Sequence, residues 1–157
     1  MQLSSSAFDE GDRIPTRYTA DGDDVSVPLT WTSPPEDTVE LALVVDDPDA
    51  PRPEPWVHWL LYHIPADRSA LREGLPRVER LDEPAGAAQG RNSWSSDNLG
   101  YRGPAPPPGH GPHRYRFTLH ALDEKTDVGP DADVASLQSA IEGHVIASAR
   151  LTGVYER

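Results

Sequence analysis

Residues His113 to Asp123 read HRYRFTLHALD, a stretch in which polar and apolar side chains largely alternate. Successive side chains of a β-strand point to opposite faces of its sheet, so this pattern predicts a strand with one buried face. The predicted buried face carries His113, Tyr115, Phe117, Leu119 and Ala121, and the other carries Arg114, Arg116, Thr118 and His120. The fold is therefore expected to be β-rich, with a histidine and a tyrosine at the start of a core strand.

Two upstream segments also have the composition of buried strands. ELALVVD, Glu40 to Asp46, is too short for a helix and ends at a proline-containing turn. WVHWLLYHIP, Trp56 to Pro65, is rich in aromatic and branched side chains and stops at its proline. Alternation in this second segment places His58 on the same face as Leu60 and Tyr62. Two long core strands are thus expected before the one that begins at His113.

The remaining segments complete a sandwich. VPLTW (Val27 to Trp31) and the tail LTGVYER predict short strands, and the polar region from Arg68 to Asn98 predicts loops. Asp133 can cap a helix from Val134 to Ala149, in which apolar residues recur every four positions at Leu137, Ile141 and Val145. The predicted fold is mainly β, an antiparallel β-sandwich with a short C-terminal helix, forming one domain over residues 1–157.

Composition excludes several classes of function. The chain of 157 residues has a net charge of −12, from 26 acidic and 14 basic side chains, and Lys125 is its only lysine. Such a surface repels nucleic acid and suits a protein kept soluble in concentrated salt, which predicts a halophilic source. The alternative is a GC-rich codon usage, which favours arginine over lysine. There is no cysteine, and no apolar run approaches the length of a membrane span. We expect a cytoplasmic protein without membrane insertion.

The first candidate for chemistry is DDPDAP, Asp46 to Pro51. Asp47 and Asp49 are two residues apart, so in an extended segment their carboxylates leave from the same side. Pro48 and Pro51 fix the backbone on which they stand. The alternative is a turn in which the aspartates accept hydrogen bonds from nearby amides.

The second candidate is the loop GPAPPPGHGPHRY, Gly103 to Tyr115. Gly109 and Gly111 can expose backbone N–H groups, while His113 and Tyr115 share one face of the following strand. These donors suit a phosphate, sulfate or carboxylate. Two imidazoles, His110 and His113, raise a metal site as the alternative, but the Gly-Pro between them is not helical. The sequence predicts no metal and no cofactor.

Taken in chain order, the motifs resemble the phosphatidylethanolamine-binding protein family, also called Raf kinase inhibitor-like proteins, in its compact bacterial and archaeal branch. The likeness rests on five stretches, YTADGDDVSVPLTW, LALVVDDPDAP, VHWLLYHIP, QGRNSWSSDNLGYRGPAPPPGHGPHRYRFTLHALD and AIEGHVIASARLTGVYER. They cover nearly the whole chain. The resemblance implies an antiparallel β-sandwich with a small anion pocket at one end.

By motif position, the resemblance also implies the residues of the pocket. The expected ligand-binding residues are Asp47, His58, Gly109, His113 and Tyr115, with Gly109 in the loop that supplies a backbone N–H. The expected supporting residues are Asp49, Pro51, Trp56 and Pro107. A carboxylate repels an anion, so the presence of Asp47 in an anion pocket must be explained, and two roles are available. Asp47 can orient and charge His58 or His113, or it can meet the ammonium of a phosphoethanolamine-like headgroup.

The function expected is therefore a non-enzymatic binding protein for a small phosphate- or carboxylate-bearing ligand. The resemblance adds regulation of a protein partner such as a kinase or protease, and a homodimer is compatible with the sequence. One alternative is a phosphoester hydrolase that uses Asp47 and His58 as acid-base partners. Another is a protein-interaction module with a vestigial pocket.

Overall fold

β-Strands dominate the computed structural model, which describes residues 1–94 and 98–157. The described residues form eight strands, one α-helix and a single 3-10 turn at Thr16–Tyr18. The strands are β1 (Leu3–Ser4), β2 (Leu29–Trp31), β3 (Glu40–Asp47), β4 (Trp56–Pro65), β5 (Ala70–Leu71), β6 (Ala88–Gln89), β7 (His113–Leu122) and β8 (Val145–Tyr155). The helix α1 spans Val134–Ile141.

The strands are arranged in two antiparallel sheets. The smaller sheet has the order β1-β2-β5, and the larger has the order β6-β4-β3-β7-β8. A core cluster fills the space between them, with Leu29 and Trp31 from the small sheet and Val45, Phe117 and Leu119 from the large one. This arrangement confirms the predicted mainly β class and the antiparallel sandwich.

The helix covers the outer face of the large sheet. Leu137 and Ile141 of α1 are buried in a second cluster together with Val44, Leu60 and Tyr62. The three long strands at the centre of this sheet lie within one residue of their predicted bounds. The region predicted as loops also contains the two short strands β5 and β6, and its residues 95–97 lie outside the described residues.

The predicted length of the helix is wrong. Asp133 caps it as expected, since its carboxylate accepts a hydrogen bond of 2.8 Å from the Ser136 amide. The helix ends at Ile141, however, and Gly143 has a φ of +81°, a left-handed conformation that commonly terminates helices. Val145, predicted on the apolar stripe of the helix, instead begins β8 and is 40% exposed.

A β-bulge in β4 turns His58 away from the predicted face. Adjacent residues of β3 pair with residues on either side of His58, which is therefore one residue too many for the ladder. Leu60 and Tyr62, predicted to share its face, lie in the cluster beneath the helix. The His58 ring instead contacts Tyr115, in the core between the sheets, at 5.1 Å between ring centroids.

No helix among the described residues has both the length and the apolar character needed to cross a membrane.

Candidate functional site

A cavity of about 190 Å³ opens where β3 ends and where β4 and β7 begin. Four of the five predicted ligand-binding side chains line it: Asp47, His58, His113 and Tyr115. Three residues predicted as supports, Pro51, Trp56 and Pro107, also form part of its wall. The antiparallel pairing of β3 with both β4 and β7 brings these strand ends together, although they are distant in sequence.

Asp47 and His113 form a buried pair at the base of the cavity. Their side chains are 5% and 2% exposed, and 2.6 Å separates Asp47 Oδ2 from His113 Nδ1. A carboxylate can only accept, so Nδ1 of His113 carries the proton. The other oxygen of Asp47 accepts a hydrogen bond of 2.8 Å from the amide of Asp49. Asp47 therefore orients His113, which is one of the two roles expected for it.

His58 does not pair with Asp47. Its Nδ1 lies 2.7 Å from the carbonyl oxygen of Arg102, to which it donates. Burial lowers the pKa of His58 to about 4, because a charged imidazole would lose its hydration there. The ring is therefore neutral at pH 7. It does not supply positive charge to an anion, and the expectation that Asp47 charges His58 does not hold.

Tyr115 has a buried hydroxyl without a hydrogen-bond partner in the part of the chain that the structure describes. Its side chain lies at the wall of the cavity, and the residue is 1% exposed. Burial, followed by the nearby charge of Asp47, raises the pKa of this phenol, so it stays protonated. A buried unpaired hydroxyl is costly, and it marks Tyr115 as a donor available to a ligand.

Asp49 fixes the turn next to the cavity but does not line it. Its carboxylate accepts two hydrogen bonds from the Arg114 guanidinium, at 3.0 and 2.9 Å, and a third of 2.8 Å from the Arg114 amide. These bonds, with the side-chain pair to Arg114 as the largest contribution, lower the pKa of Asp49 to about 2. The residue thus ties the end of β3 to the start of β7, as expected for a support.

The expectation for Gly109 is corrected by the structure. Its N–H donates a hydrogen bond of 3.1 Å to the carbonyl oxygen of Arg157, and the residue does not line the cavity. The loop reaches the cavity with carbon atoms instead, through Ala105, Pro106 and Pro107. Stiff, proline-rich backbone forms the wall, and the available donors come from β7.

Two residues of the site had no predicted role. Trp94 lines the cavity and contacts both Trp56, with ring centroids 5.4 Å apart, and His58, at 4.9 Å. A single tryptophan in a polar loop was the only signal that could have identified it. His110, which sequence analysis noted only as a possible metal ligand, lies with its Nδ1 2.6 Å from Nε2 of His113. The described residues contain no group of three or more His, Asp or Glu side chains placed to hold a metal ion.

The loop at the cavity wall is anchored at Gly103, where no other residue fits. Its N–H donates to Asp24 Oδ1 at 2.6 Å, and a Cβ atom there would lie 2.2 Å from the backbone oxygen of Tyr18. We expect Gly103→Ala to lower the free energy of unfolding by about 2 kcal/mol, measured by urea denaturation. Gly129→Ala is the control, since its Cβ would meet nothing within 4 Å. Equal stability of the two variants would contradict this close approach.

The fold is an antiparallel sandwich with a small cavity at one end of its large sheet. The cavity holds an oriented imidazole and a phenol without a partner among the described residues. Such a fold and cavity are typical of a ligand-binding class of protein. The model of the family described as phosphatidylethanolamine-binding protein matches residues 4–156. The chain belongs to this family.

Relatives agree over nearly the full length. A UPF0098 protein from Methanothermobacter thermautotrophicus is 46% identical over 157 residues, which cover 100% of this chain and 99% of that protein. The crystal structure of Escherichia coli YbcL is similar with a TM-score of 0.91 and 34% identity, covering 99% of this chain and 98% of that one. The crystal structure of the homologue CT736 from Chlamydia trachomatis is similar with a TM-score of 0.86 and 36% identity, covering 99% of this chain and 97% of that one.

Proposed function

We propose that this chain is a non-enzymatic binding protein whose cavity holds a small ligand bearing a phosphate or carboxylate group. The observation that carries the proposal is the buried hydroxyl of Tyr115, which no described residue bonds and whose side chain lines the cavity together with the Asp47–His113 pair. An anion accepting from this phenol would satisfy its buried donor. Family membership supports a binding role in general.

The walls favour an anion with a carbon substituent over a bare anion. Most of the lining is carbon, from Trp56, Trp94, Pro51, Pro106 and Pro107. Arginine also stacks at the tryptophans, with the Arg52 guanidinium 5.1 Å from the Trp56 ring and Arg102 5.3 Å from Trp94. A ligand of this kind buries its apolar group against the rings while its anionic group meets Tyr115.

The carboxylate of Asp47 is occupied within the protein. Its oxygens accept from His113 Nδ1 and from the Asp49 amide, and its side chain is 5% exposed. These hydrogen bonds reduce the repulsion between the Asp47 carboxylate and an anion. They also leave little of the carboxylate accessible to an ammonium group. A phosphoethanolamine headgroup is therefore expected to bind no more tightly than the same phosphate without its amine.

Ligand titration followed by NMR tests the proposal. We expect phenyl phosphate to bind more tightly than inorganic phosphate, and ethyl phosphate and phosphoethanolamine to bind about equally. Shifts should be centred on the cavity residues Asp47, His58, His113 and Tyr115 and on the residues that contact them. Absence of binding by every one of these compounds, and by acetate, would refute the anion site. A clear preference for phosphoethanolamine over ethyl phosphate would show instead that Asp47 meets the ammonium.

The hydrolase alternative loses the acid-base pair on which it was based, because Asp47 bonds His113 and not His58. Turnover of a phosphoester by the wild type that is lost in His58→Ala would nevertheless restore it. Regulation of a kinase or protease stays a prediction of the family resemblance, since no contact of the described residues argues for one partner.

A further inference from the structure

The donors of the cavity are not all free to meet a ligand. Both ring nitrogens of His113 are in use, since Nδ1 bonds Asp47 and Nε2 lies 2.6 Å from Nδ1 of His110. Nδ1 of His58 is likewise committed to a carbonyl oxygen. The Tyr115 hydroxyl has no hydrogen-bond partner among residues 1–94 and 98–157. An anion that entered the cavity with this hydrogen bonding unchanged would find the phenol but not the imidazole of His113.

A second donor is needed for tight anion binding, and His113 is placed to provide it. Its ring is stacked near that of Tyr115, with centroids 6.5 Å apart, because the two residues alternate on the same face of β7. With Nδ1 protonated toward Asp47, Nε2 can donate only when the ring is charged. An anion stabilises that charged form and accepts its N–H, but only if His110 gives up its place at Nε2.

The His110 side chain can be displaced with little rearrangement of the structure around it. The residue is exposed, whereas His113 is buried. The glycines on either side of it, Gly109 and Gly111, have φ values of +77° and +86°, and neither has a neighbouring atom within 4 Å of the position of a Cβ. Among the described residues, the turn is held by hydrogen bonds from His110 N–H to Pro107 O, at 3.2 Å, and from Gly109 N–H to Arg157 O, at 3.1 Å, and rotation of the His110 side chain breaks neither of these main-chain bonds. Little of the packed structure has to change when this imidazole swings away.

We propose that the His110 side chain competes with the ligand for Nε2 of His113. It bonds this nitrogen in the free protein and must leave it when an anion binds. The proposal rests on the anion-binding function proposed above. The apparent association constant for an anion is then the intrinsic constant multiplied by the fraction of molecules in which His110 is already displaced, so a smaller fraction means weaker binding. The competing arrangement, in which His110 stays beside His113 and donates to the anion itself, predicts the opposite effect of removing its side chain.

The test compares inorganic phosphate binding by wild-type protein, His110→Ala and His144→Ala at one fixed pH, measured by NMR titration. His144 is the matched control, because it is another solvent-accessible histidine but pairs with Asp123 and Glu124 outside the cavity lining. We expect His110→Ala to bind phosphate about fivefold more tightly, which is the effect of removing one competing hydrogen bond of ordinary strength. His144→Ala should match the wild type.

A second readout follows the displaced ring directly. In wild-type protein with ¹⁵N-labelled histidine, saturating phosphate should change the ring signals of His110 together with those of His113. An unchanged or weakened affinity in His110→Ala would overturn the competitor, and weakening would assign His110 as a donor to the ligand. Absence of phosphate binding by both proteins would overturn the competitor, whereas the proposed function would fall only if phenyl phosphate, ethyl phosphate, phosphoethanolamine and acetate also failed to bind. Binding by His110→Ala alone would support both.

Discussion

A Tyr115→Phe variant is expected to bind phosphate about 10- to 100-fold more weakly than the wild type, because a hydrogen bond to a charged group contributes more than one between neutral groups. The substitution removes one oxygen atom and keeps the ring that packs against His58 in the core. The same variant should unfold at an equal or higher urea concentration, since it deletes a buried hydroxyl that has no partner among the described residues. Loss of binding and gain of stability are thus expected together.

The matched control is Tyr62→Phe. The hydroxyl of Tyr62 is satisfied, because it donates to Gly129 O at 2.6 Å and accepts from the Ala132 amide at 3.3 Å. Its removal should lower stability by about 1 kcal/mol and leave phosphate affinity unchanged. If Tyr115→Phe bound phosphate as well as the wild type did, the phenol would not be part of the site. If it were also less stable, the hydroxyl would have a structural role instead.

The long strands could be predicted from sequence because the polarity of their side chains follows the burial of each face. Alternation along β7 and the continuous apolar run of β3 each reflect which faces are buried, and local sequence is enough to see it. The end of α1 was predicted wrongly because the prediction used only the local sequence pattern. Leu137, Ile141 and Val145 have helical spacing, but the chain turns at Gly143, and the following strand pairs with β7 instead. Pairing between distant strands overrode the local pattern.

The site was predicted in part, because its members were identified by motif and its geometry depends on register. The bulge that turns His58 toward Tyr115 arises from how β4 pairs with β3, which no local pattern records. The hydrogen bond from Gly109 to the end of the chain is likewise a contact across a long sequence separation. His110 could be noted as a histidine, but only the structure places its ring against His113.

Acidification is expected to destabilise the protein through His58. The pKa of this buried ring is about 4 in the folded protein, against an ordinary value of 6.5. Between these values the unfolded chain binds a proton that the folded protein does not, so stability falls as pH falls through 6.5 and levels off below 4. The full difference corresponds to about 3 kcal/mol, and about 2 to 3 kcal/mol of it should appear between pH 7.5 and pH 4.5.

The variant that isolates this effect is His58→Asn. An asparagine amide can keep the hydrogen bond to Arg102 O but does not titrate. The variant should be less stable than the wild type at pH 7.5, where it loses ring packing, yet this deficit should shrink by about 2 to 3 kcal/mol at pH 4.5. The other titrating groups are common to both proteins, so their contributions cancel in the comparison. A deficit that stayed constant between the two pH values in urea denaturation would show that His58 is protonated within the fold at its ordinary pKa, and a charged His58 could then meet an anion in the cavity at low pH.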